Sequence, residues 1–431
     1  MTMLAGPALG RVRAARRPWR IAQYMAYPAG YRIQATSSRR AFIARIPIYI
    51  GSCDWSALRL MMHGWYLGSN LGNSYTITKA ALEYSGAYKA ITFGGADGLT
   101  VADGATEVMS DLITPAPLYA GNVLRHSVPY TRLEGYIDSP TGYFAGGVYA
   151  AFGGAVGYVY DPGTTTPLSS AYGTGSINTT GLTVFGTAEI PIPVMVVGIP
   201  AGAEAAVPVM YGDSIGYNLG GVIYYGAGAN SGGWFWRSLR TAGKGVYNSG
   251  LYAGLNCGVS GATQGMIKSY ANMLALSKYC NLAVEEGGIN GLASASVSIA
   301  DTQEIWASLR SHGISSDRLI RTKITPRTTS PGNSWADAAG QTYATYHGVG
   351  GNADAFNAFV DTALADGDIA AIMPMDSIRD PGDSRKWISN GTALYATPDG
   401  LHPSAVSHDL LVGEYAPIWQ GVATAHGLWN G

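Results

Sequence analysis

The sequence is poor in charge. Only 13% of its 431 residues are Asp, Glu, Lys or Arg, about half the roughly 25% of an average soluble protein. With 27 basic and 28 acidic residues the formal charge is −1, which leaves no basic footprint for nucleic acid as a partner. Cysteine is nearly absent: Cys53, Cys257 and Cys280 are too few for a disulfide scaffold. A Cys257–Cys280 bridge and a pair of buried thiols are both compatible with the spacing, and the thiols are the simpler expectation. There is no H-E-x-x-H pair, no Cys/His cluster and no Walker-type phosphate loop, so neither metal nor cofactor is expected. Long apolar runs are scarce too. The uncharged stretch from Tyr143 to Tyr160 is interrupted by Gly146–Gly147 and Gly153–Gly154. It reads as short buried strands with glycine turns, not as a membrane span.

What is abundant is glycine, 59 residues, about twice the usual share of roughly 7%. Tyrosine contributes 28 residues and the hydrophobic fraction is 47%, which places the chain among globular proteins. Low charge with much Gly and Tyr suits a β-rich, turn-rich protein exposed outside the cytoplasm. The length has room for two domains, or three, and for a core that needs no staples.

The near-neutral total hides an asymmetry. Residues 1–200 carry 14 basic and 10 acidic side chains, and residues 201–431 carry 13 and 18. Residues 1–53 hold nine Arg (11, 13, 16, 17, 20, 32, 39, 40 and 45), no Lys and no acid. Residues 1–50 therefore read as a basic arm, either a solvated terminus or a docking element. Its partner would be an acidic neighbouring subunit, a membrane surface or phosphates, within a homo-oligomer or a larger particle. Arg-rich residues 11–20 are not followed by the roughly 7–15 apolar residues of a secretory signal. The expectation is a signal already removed, or export by assembly into a virion or cell-surface particle.

The chain changes character near residue 200. Before it, runs such as RAFIARIPIYIG, NSYTITKAALEY and TRLEGYIDSP are bounded by Gly, Asn, Asp and Pro. Short strands at that spacing predict a β-sandwich or jelly-roll-like domain over residues 51–200. Residues 161–180 form a polar Gly/Ser/Thr/Pro loop, and GIPAGAEAA at 198–206 reads as a linker. Over residues 206–431 strands alternate with amphipathic helices: VPVMYGDS, TQGMIKSYANMLALSKY, NLAVEEGG, SVSIADTQEIWASLRSH, RLIRTKI, DIAAIMPMDS. That alternation predicts an α/β domain, a parallel sheet with helices on both faces. Ligands in such sheets bind beyond the carboxyl ends of the strands.

Four pieces fall at those ends. Gly212-Asp213-Ser214-Ile215-Gly216 follows the first strand and presents a hydroxyl above the sheet. Asp399-Gly400-Leu401-His402-Pro403 places an acid three residues before a His, so the carboxylate can take Nδ1–H and leave Nε2 for a serine. Gly258, in Leu255-Asn256-Cys257-Gly258, can turn a backbone N–H into the crevice, and Asn290 can offer a side-chain amide. Ester hydrolysis needs such donors where negative oxygen develops. Each piece alone is also explained as an ordinary turn or helix cap; the four in this order are specific.

With these residues in hand, the region from about 206 to 425 resembles the SGNH (GDSL-type) hydrolases. GDSI at 212–215 is similar to the first block, Gly258 and Asn290 to the second and third, and DGLHP at 399–403 to the closing D-x-x-H-P. The resemblance implies a three-layer α/β/α fold with Ser214 as nucleophile, His402 as general base and Asp399 as its orienter. It implies an oxyanion hole from the Ser214 and Gly258 amides and the Asn290 side chain. One departure is Gly291, where the family usually has Asp after the asparagine, which leaves open how Asn290 is supported. An α/β-hydrolase is disfavoured by the missing HGG-type loop and the short Asp–His spacing.

The substrate expected is an acetylated carbohydrate, cleaved by a serine O-acetylesterase through an acyl-enzyme. A β-rich companion domain and aromatics near the nucleophile favour it. Tyr217, Trp234 and Trp236, with Tyr224 and Tyr225, are positioned in sequence to stack on sugar faces, or else to pack in the core. Two alternatives are a structural or adhesive subunit of a phage or surface assembly carrying this domain, and a secreted lipolytic esterase.

Overall fold

The computed structural model describes residues 19–22, 31–47, 50–51, 53–84, 86–114, 130–148, 156–164, 166, 170–184, 189–191, 195–202, 204–217, 233–243 and 253–428. Its strands are β1 (Arg20–Ile21), β2 (Tyr31–Gln34), β3 (Ala41–Pro47), β4 (Trp55–Met62), β5 (Tyr75–Tyr84), β6 (Ala87–Ile91), β7 (Leu99–Val101), β8 (Val108–Met109), β9 (Tyr130–Tyr136), β10 (Tyr143–Val148), β11 (Val156–Tyr160), β12 (Thr183–Val184), β13 (Glu189–Pro191) and β14 (Met195–Pro200). All of these pair antiparallel: β1-β14-β4-β8 in one sheet, β13-β10-β2 in another, and β12-β11-β3-β9-β5-β6 in the largest, where β7 also pairs with β5. Apolar faces of the first and largest sheets share one core, including Phe42, Leu60, Met61, Ile77, Leu133 and Val197.

The structure corrects the extent of the basic arm. Residues 41–47 form β3, a buried strand flanked by β9 and β11 in the largest sheet. Arg45 is spent there on an ion pair with Glu83 at 2.8 Å. Arg20 pairs with Glu204 at 2.5 Å. The Arg cluster at 11–17 lies outside the described residues. The linker also starts later than its composition implies, because Gly198 to Pro200 belong to β14. The uncharged 143–160 stretch contributes β10 and β11, with 149–155 outside the described residues.

After residue 207 the architecture is α/β. Strands β15 (Pro208–Gly212), β16 (Leu255–Gly258), β17 (Leu282–Glu285), β18 (Leu319–Thr322) and β19 (Ala371–Met373) form a parallel sheet in the order β16-β15-β17-β18-β19. Strands β15, β17 and β18 are buried at every position, the pattern of a sheet covered on both faces. The helices are α1 (Gly233–Gly243), α2 (Gln264–Ser269), α3 (Ala295–Ser311), α4 (Asn352–Ala365) and α5 (Ala405–Ala425). Helix α1 packs on α5 through Trp234 against Tyr415 and Phe235 against Trp419, with ring centroids 5.1 and 5.9 Å apart. Helix α3 packs on α4 through stacked Trp306 and Phe359 and ties to α2 by Lys268–Asp301. Side-chain caps from Thr263, Ser294 and Ser404 start α2, α3 and α5.

The antiparallel half meets the parallel half through groups that lie just before β15 and β17. Tyr279 donates to Glu107 at 2.7 Å, and Arg20 reaches Glu204 and the Lys278 carbonyl. That is the strand-start end of the sheet, opposite the crevice at the strand ends. Because the chain runs from β15 out to β16 and back to β17, the crevice opens where the direction of winding reverses.

Among the described residues no helix is long and apolar enough to cross a membrane.

Candidate active site

Ser214 sits two residues past β15, only 3% exposed. His402 Nε2 lies 2.9 Å from Ser214 Oγ, and His402 Nδ1 lies 2.6 Å from Asp399 Oδ2. The local sequence explains how the second half of this relay forms. Asp399 Oδ1 accepts the backbone N–H groups of Leu401 and His402 at 2.9 and 2.8 Å, so the carboxylate closes its own turn and aims its other oxygen at the ring. Burial alone would raise the Asp399 pKa, but these bonds and the His402 side chain outweigh it and hold the group below its ordinary value. The carboxylate therefore stays ionised against the imidazole. Gly400 lets the turn seat: its φ is +79°, and a Cβ there would lie 1.9 Å from the Thr328 carbonyl. Thr328 N–H and Trp387 Nε1–H both donate to the Gly400 carbonyl at 3.0 Å, fixing the loop to the body.

The turn that carries Ser214 is just as closely held. Tyr217 N–H donates to the Asp213 carbonyl, Ile215 N–H to Asp213 Oδ1, and Trp234 Nε1–H to the Ile215 carbonyl. Glu286 Oε2 accepts from both Asp213 N–H and Gly216 N–H at 3.0 Å. Burial pushes Asp213 up to about 6, and burial followed by the nearby Asp213 charge pushes Glu286 well above the usual carboxylate range. Beside them, Glu285 pairs with Arg321 at 2.7 Å, both side chains fully buried. Burial still pushes Glu285 up to about 7.

The expected oxyanion donors divide. Gly258 N–H is already taken, donating to Asn256 Oδ1 at 2.8 Å, while Asn256 Nδ2 donates to the Gly216 carbonyl. Asn256 stands two residues before Gly258 and closes an Asx turn on it, so the Gly258 N–H is engaged within the protein and the residue packs against Gly216 and Tyr217. Three residues on, Gly261 has φ +77°, open space around it and no protein acceptor for its N–H among the described residues. Asn290 lies against that same loop, its Nδ2 donating to the Ala262 carbonyl at 3.2 Å. Gly291 does not leave Asn290 unsupported: the Gly291 N–H donates to the Gly288 carbonyl, and Ser298 Oγ–H donates to the Gly291 carbonyl at 2.8 Å. The turn at Gly291 is tied to α3.

The aromatic expectation is corrected. Trp234 and Trp236 are 0% exposed; on α1 they face the core beneath α5 and cannot stack on a sugar. Tyr217 is half-buried beside the nucleophile turn, and Tyr224 and Tyr225 lie outside the described residues. The aromatic beside the relay is Trp335, missed in the sequence. Its ring approaches Gly400, and its indole N–H donates to Thr328 Oγ1 at 3.0 Å. Ser334 and Trp335 both hold positive φ, 50° and 61°, a conformation that non-glycine residues seldom adopt. Cys257 and Cys280 are free thiols, both buried, and burial raises their pKa values. Among the described residues no group of three or more His, Cys, Asp or Glu is placed to hold a metal ion.

No family model and no curated protein matches this sequence. Solved structures do resemble it over about half the chain. A GDSL-like lipase from Bacteroides thetaiotaomicron is 15% identical, with 52% of this chain and 93% of that one aligned and a TM-score of 0.32. TesA is 15% identical over 50% of this chain and 99% of its own, with a TM-score of 0.35. An acetyl xylan esterase, AlAXEase, is 13% identical over 50% and 100%, with a TM-score of 0.32.

Proposed function

We propose that this chain is a serine esterase of the SGNH type that removes O-acetyl groups from a carbohydrate. The observation that carries the reading is the continuous relay from Ser214 through His402 to Asp399 at the carboxyl end of a parallel sheet. His402 Nε2 accepts the Ser214 proton as Oγ attacks the ester carbonyl carbon, and Asp399 holds the imidazole in the tautomer that leaves Nε2 free. The carbonyl oxygen becomes an oxyanion facing the Ser214 and Gly261 N–H groups and the Asn290 amide. Each such donor is worth about 3–4 kcal/mol at the transition state. The tetrahedral intermediate collapses, His402 returns its proton to the departing alcohol, and an acyl-enzyme remains. Water, deprotonated by His402, then attacks the acyl carbon and releases the acid.

The carbohydrate part rests on the rim. The partly buried Trp335 ring beside the Asp399–His402 loop is an aromatic group of the kind that suits a sugar face. Initial rates on p-nitrophenyl acetate and octanoate, with acetate release from an acetylated xylan, test both parts. Acetate turnover that disappears in Ser214→Ala, with little octanoate turnover, is expected. Preference for octanoate would shift the reading to a lipolytic esterase. Turnover indifferent to Ser214→Ala would leave a binding or assembly module.

A further inference from the structure

We propose that Glu286 is a positioning residue: one oxygen of its buried carboxyl group grips the backbone on both sides of Ser214 and sets the hydroxyl at the distance His402 requires. This rests on the reading of Ser214 as nucleophile. Glu286 follows β17 directly, and its own N–H donates to the Tyr211 carbonyl of β15 at 2.7 Å, which fixes where its side chain starts. From there Oε2 accepts Asp213 N–H and Gly216 N–H, both at 3.0 Å, in a residue only 3% exposed. The two donors bracket Ser214 and Ile215, so the grip spans the nucleophile without touching it.

The grip also accounts for both glycines of Gly212-Asp213-Ser214-Ile215-Gly216. Neither Gly212 nor Gly216 has positive φ, so backbone freedom is not what demands them. A Cβ at 212 would lie 2.3 Å from Glu286 Oε2, and one at 216 would lie 2.7 Å from the same atom and 2.7 Å from Met210 Sδ. The glycines make room for the carboxyl group. The Gly-x-Ser-x-Gly spacing is here a seat for an acid that arrives from the next strand.

The bracing atom works as an acceptor, not as a charge. The groups that face Glu286 are Asp213 in the nucleophile turn, neighbouring Glu285, Arg321 from β18 and Tyr415 from α5. The cation among them, Arg321, is engaged by Glu285. Burial and the Asp213 charge both favour a proton on Glu286. A protonated carboxyl group still accepts two N–H bonds through its carbonyl oxygen, and a glutamine amide does the same.

Two substitutions separate acceptor from charge. Glu286→Gln keeps the acceptor and removes the ionisable group; Glu286→Asp keeps an ionisable carboxyl group and withdraws the acceptor by one methylene. With Glu286→Ala, each would be followed by kcat and KM on p-nitrophenyl acetate and by thermal melting. Expected are a Gln variant within about threefold of wild type and Asp and Ala variants about 100-fold lower in kcat, the loss a displaced catalytic group produces. KM should stay within about twofold, because substrate contacts are untouched. If Ala fails to fold, the Gln–Asp contrast carries the test. An active Asp variant with an inactive Gln variant would overturn the proposal, as would kcat within threefold for all three. Hydrolysis that survives Ser214→Ala would instead sink the esterase reading, and the brace with it. Ser214-dependent hydrolysis indifferent to residue 286 would remove the brace alone.

Discussion

Each half of the molecule buries a glutamate against backbone N–H groups, and the two have opposite proton affinities. In the antiparallel half, Glu83 meets Arg45 at 2.8 Å and Arg132 at 3.1 Å, and it accepts Gly175 N–H at 2.7 Å. Burial would raise its pKa, but the arginines and the glycine N–H outweigh that and hold it below the ordinary value. Arg132 goes on to donate to the Gly175 and Ser170 carbonyls, so the assembly fastens the backbone at these two residues to the largest sheet. In the parallel half, Glu286 accepts two N–H groups without a cation of its own, and its pKa rises. The difference is the supply of counter-charge. A fully compensated carboxylate is a fastening; an under-compensated cluster next to a serine is the kind of place where chemistry is found.

Ser214→Ala should break the comparison most sharply: ester turnover falls about 10⁴-fold or more, measured on p-nitrophenyl acetate, with the melting temperature within a degree or two of wild type. Asp399→Ala comes next, with a kcat loss of about 10²–10⁴-fold, because His402 loses its orienter while the nucleophile turn stays intact. Glu83→Ala should do the converse. It leaves Arg132, 1% exposed, without its carboxylate, at a cost of about 3–5 kcal/mol in urea unfolding, and turnover is unchanged.

A finer contrast lies in the pH dependence of stability. Glu83 has a depressed folded-state pKa, so its contribution is present above the unfolded value near 4.5 and is lost as pH falls through the folded one. Asp213 at about 6 and Glu285 at about 7 are raised. Their contribution is complete below the unfolded values near 4 and declines as pH rises toward 7. Melting curves from pH 3 to 8 should show both limbs. Glu83→Gln should shrink the acid limb, to which Asp399 and Asp383 also contribute, and leave the other limb unchanged. The smallest effect concerns thiols: native protein should react with Ellman's reagent at Cys53 at most, denatured protein at all three, and reductant should not move the melting temperature.

The elements legible in sequence were those built by local chemistry. Buried strands such as VPVMY and NLAVE announced a parallel sheet, and Asp399 and His402, three residues apart, form a single turn whose geometry is local. What stayed hidden depends on distant partners. Asn256 captures Gly258 N–H and ties the loop to Gly216, 40 residues away; an Asn two residues before a strand-end Gly was the available signal. Glu286 reaches back 70 residues or more to the nucleophile turn, and nothing in NLAVEEGG distinguishes it from Glu285. Trp234 and Trp236 misled because a cluster of aromatics after a Gly-rich stretch looks the same on a rim as inside a helix interface. The Arg-rich start misled because Arg20 and Arg45 find their acids far along the chain, at Glu204 and Glu83.

A serine activated by a neighbouring base reacts covalently with a fluorophosphonate, and that is the role proposed for Ser214 beside His402. Peptide mapping by mass spectrometry after treatment with a fluorophosphonate tests it directly. A single covalent adduct on Ser214 is predicted, absent in Ser214→Ala and formed about 100-fold more slowly in His402→Ala. Labelling at another residue, or at Ser214 with a rate indifferent to His402, would contradict the account.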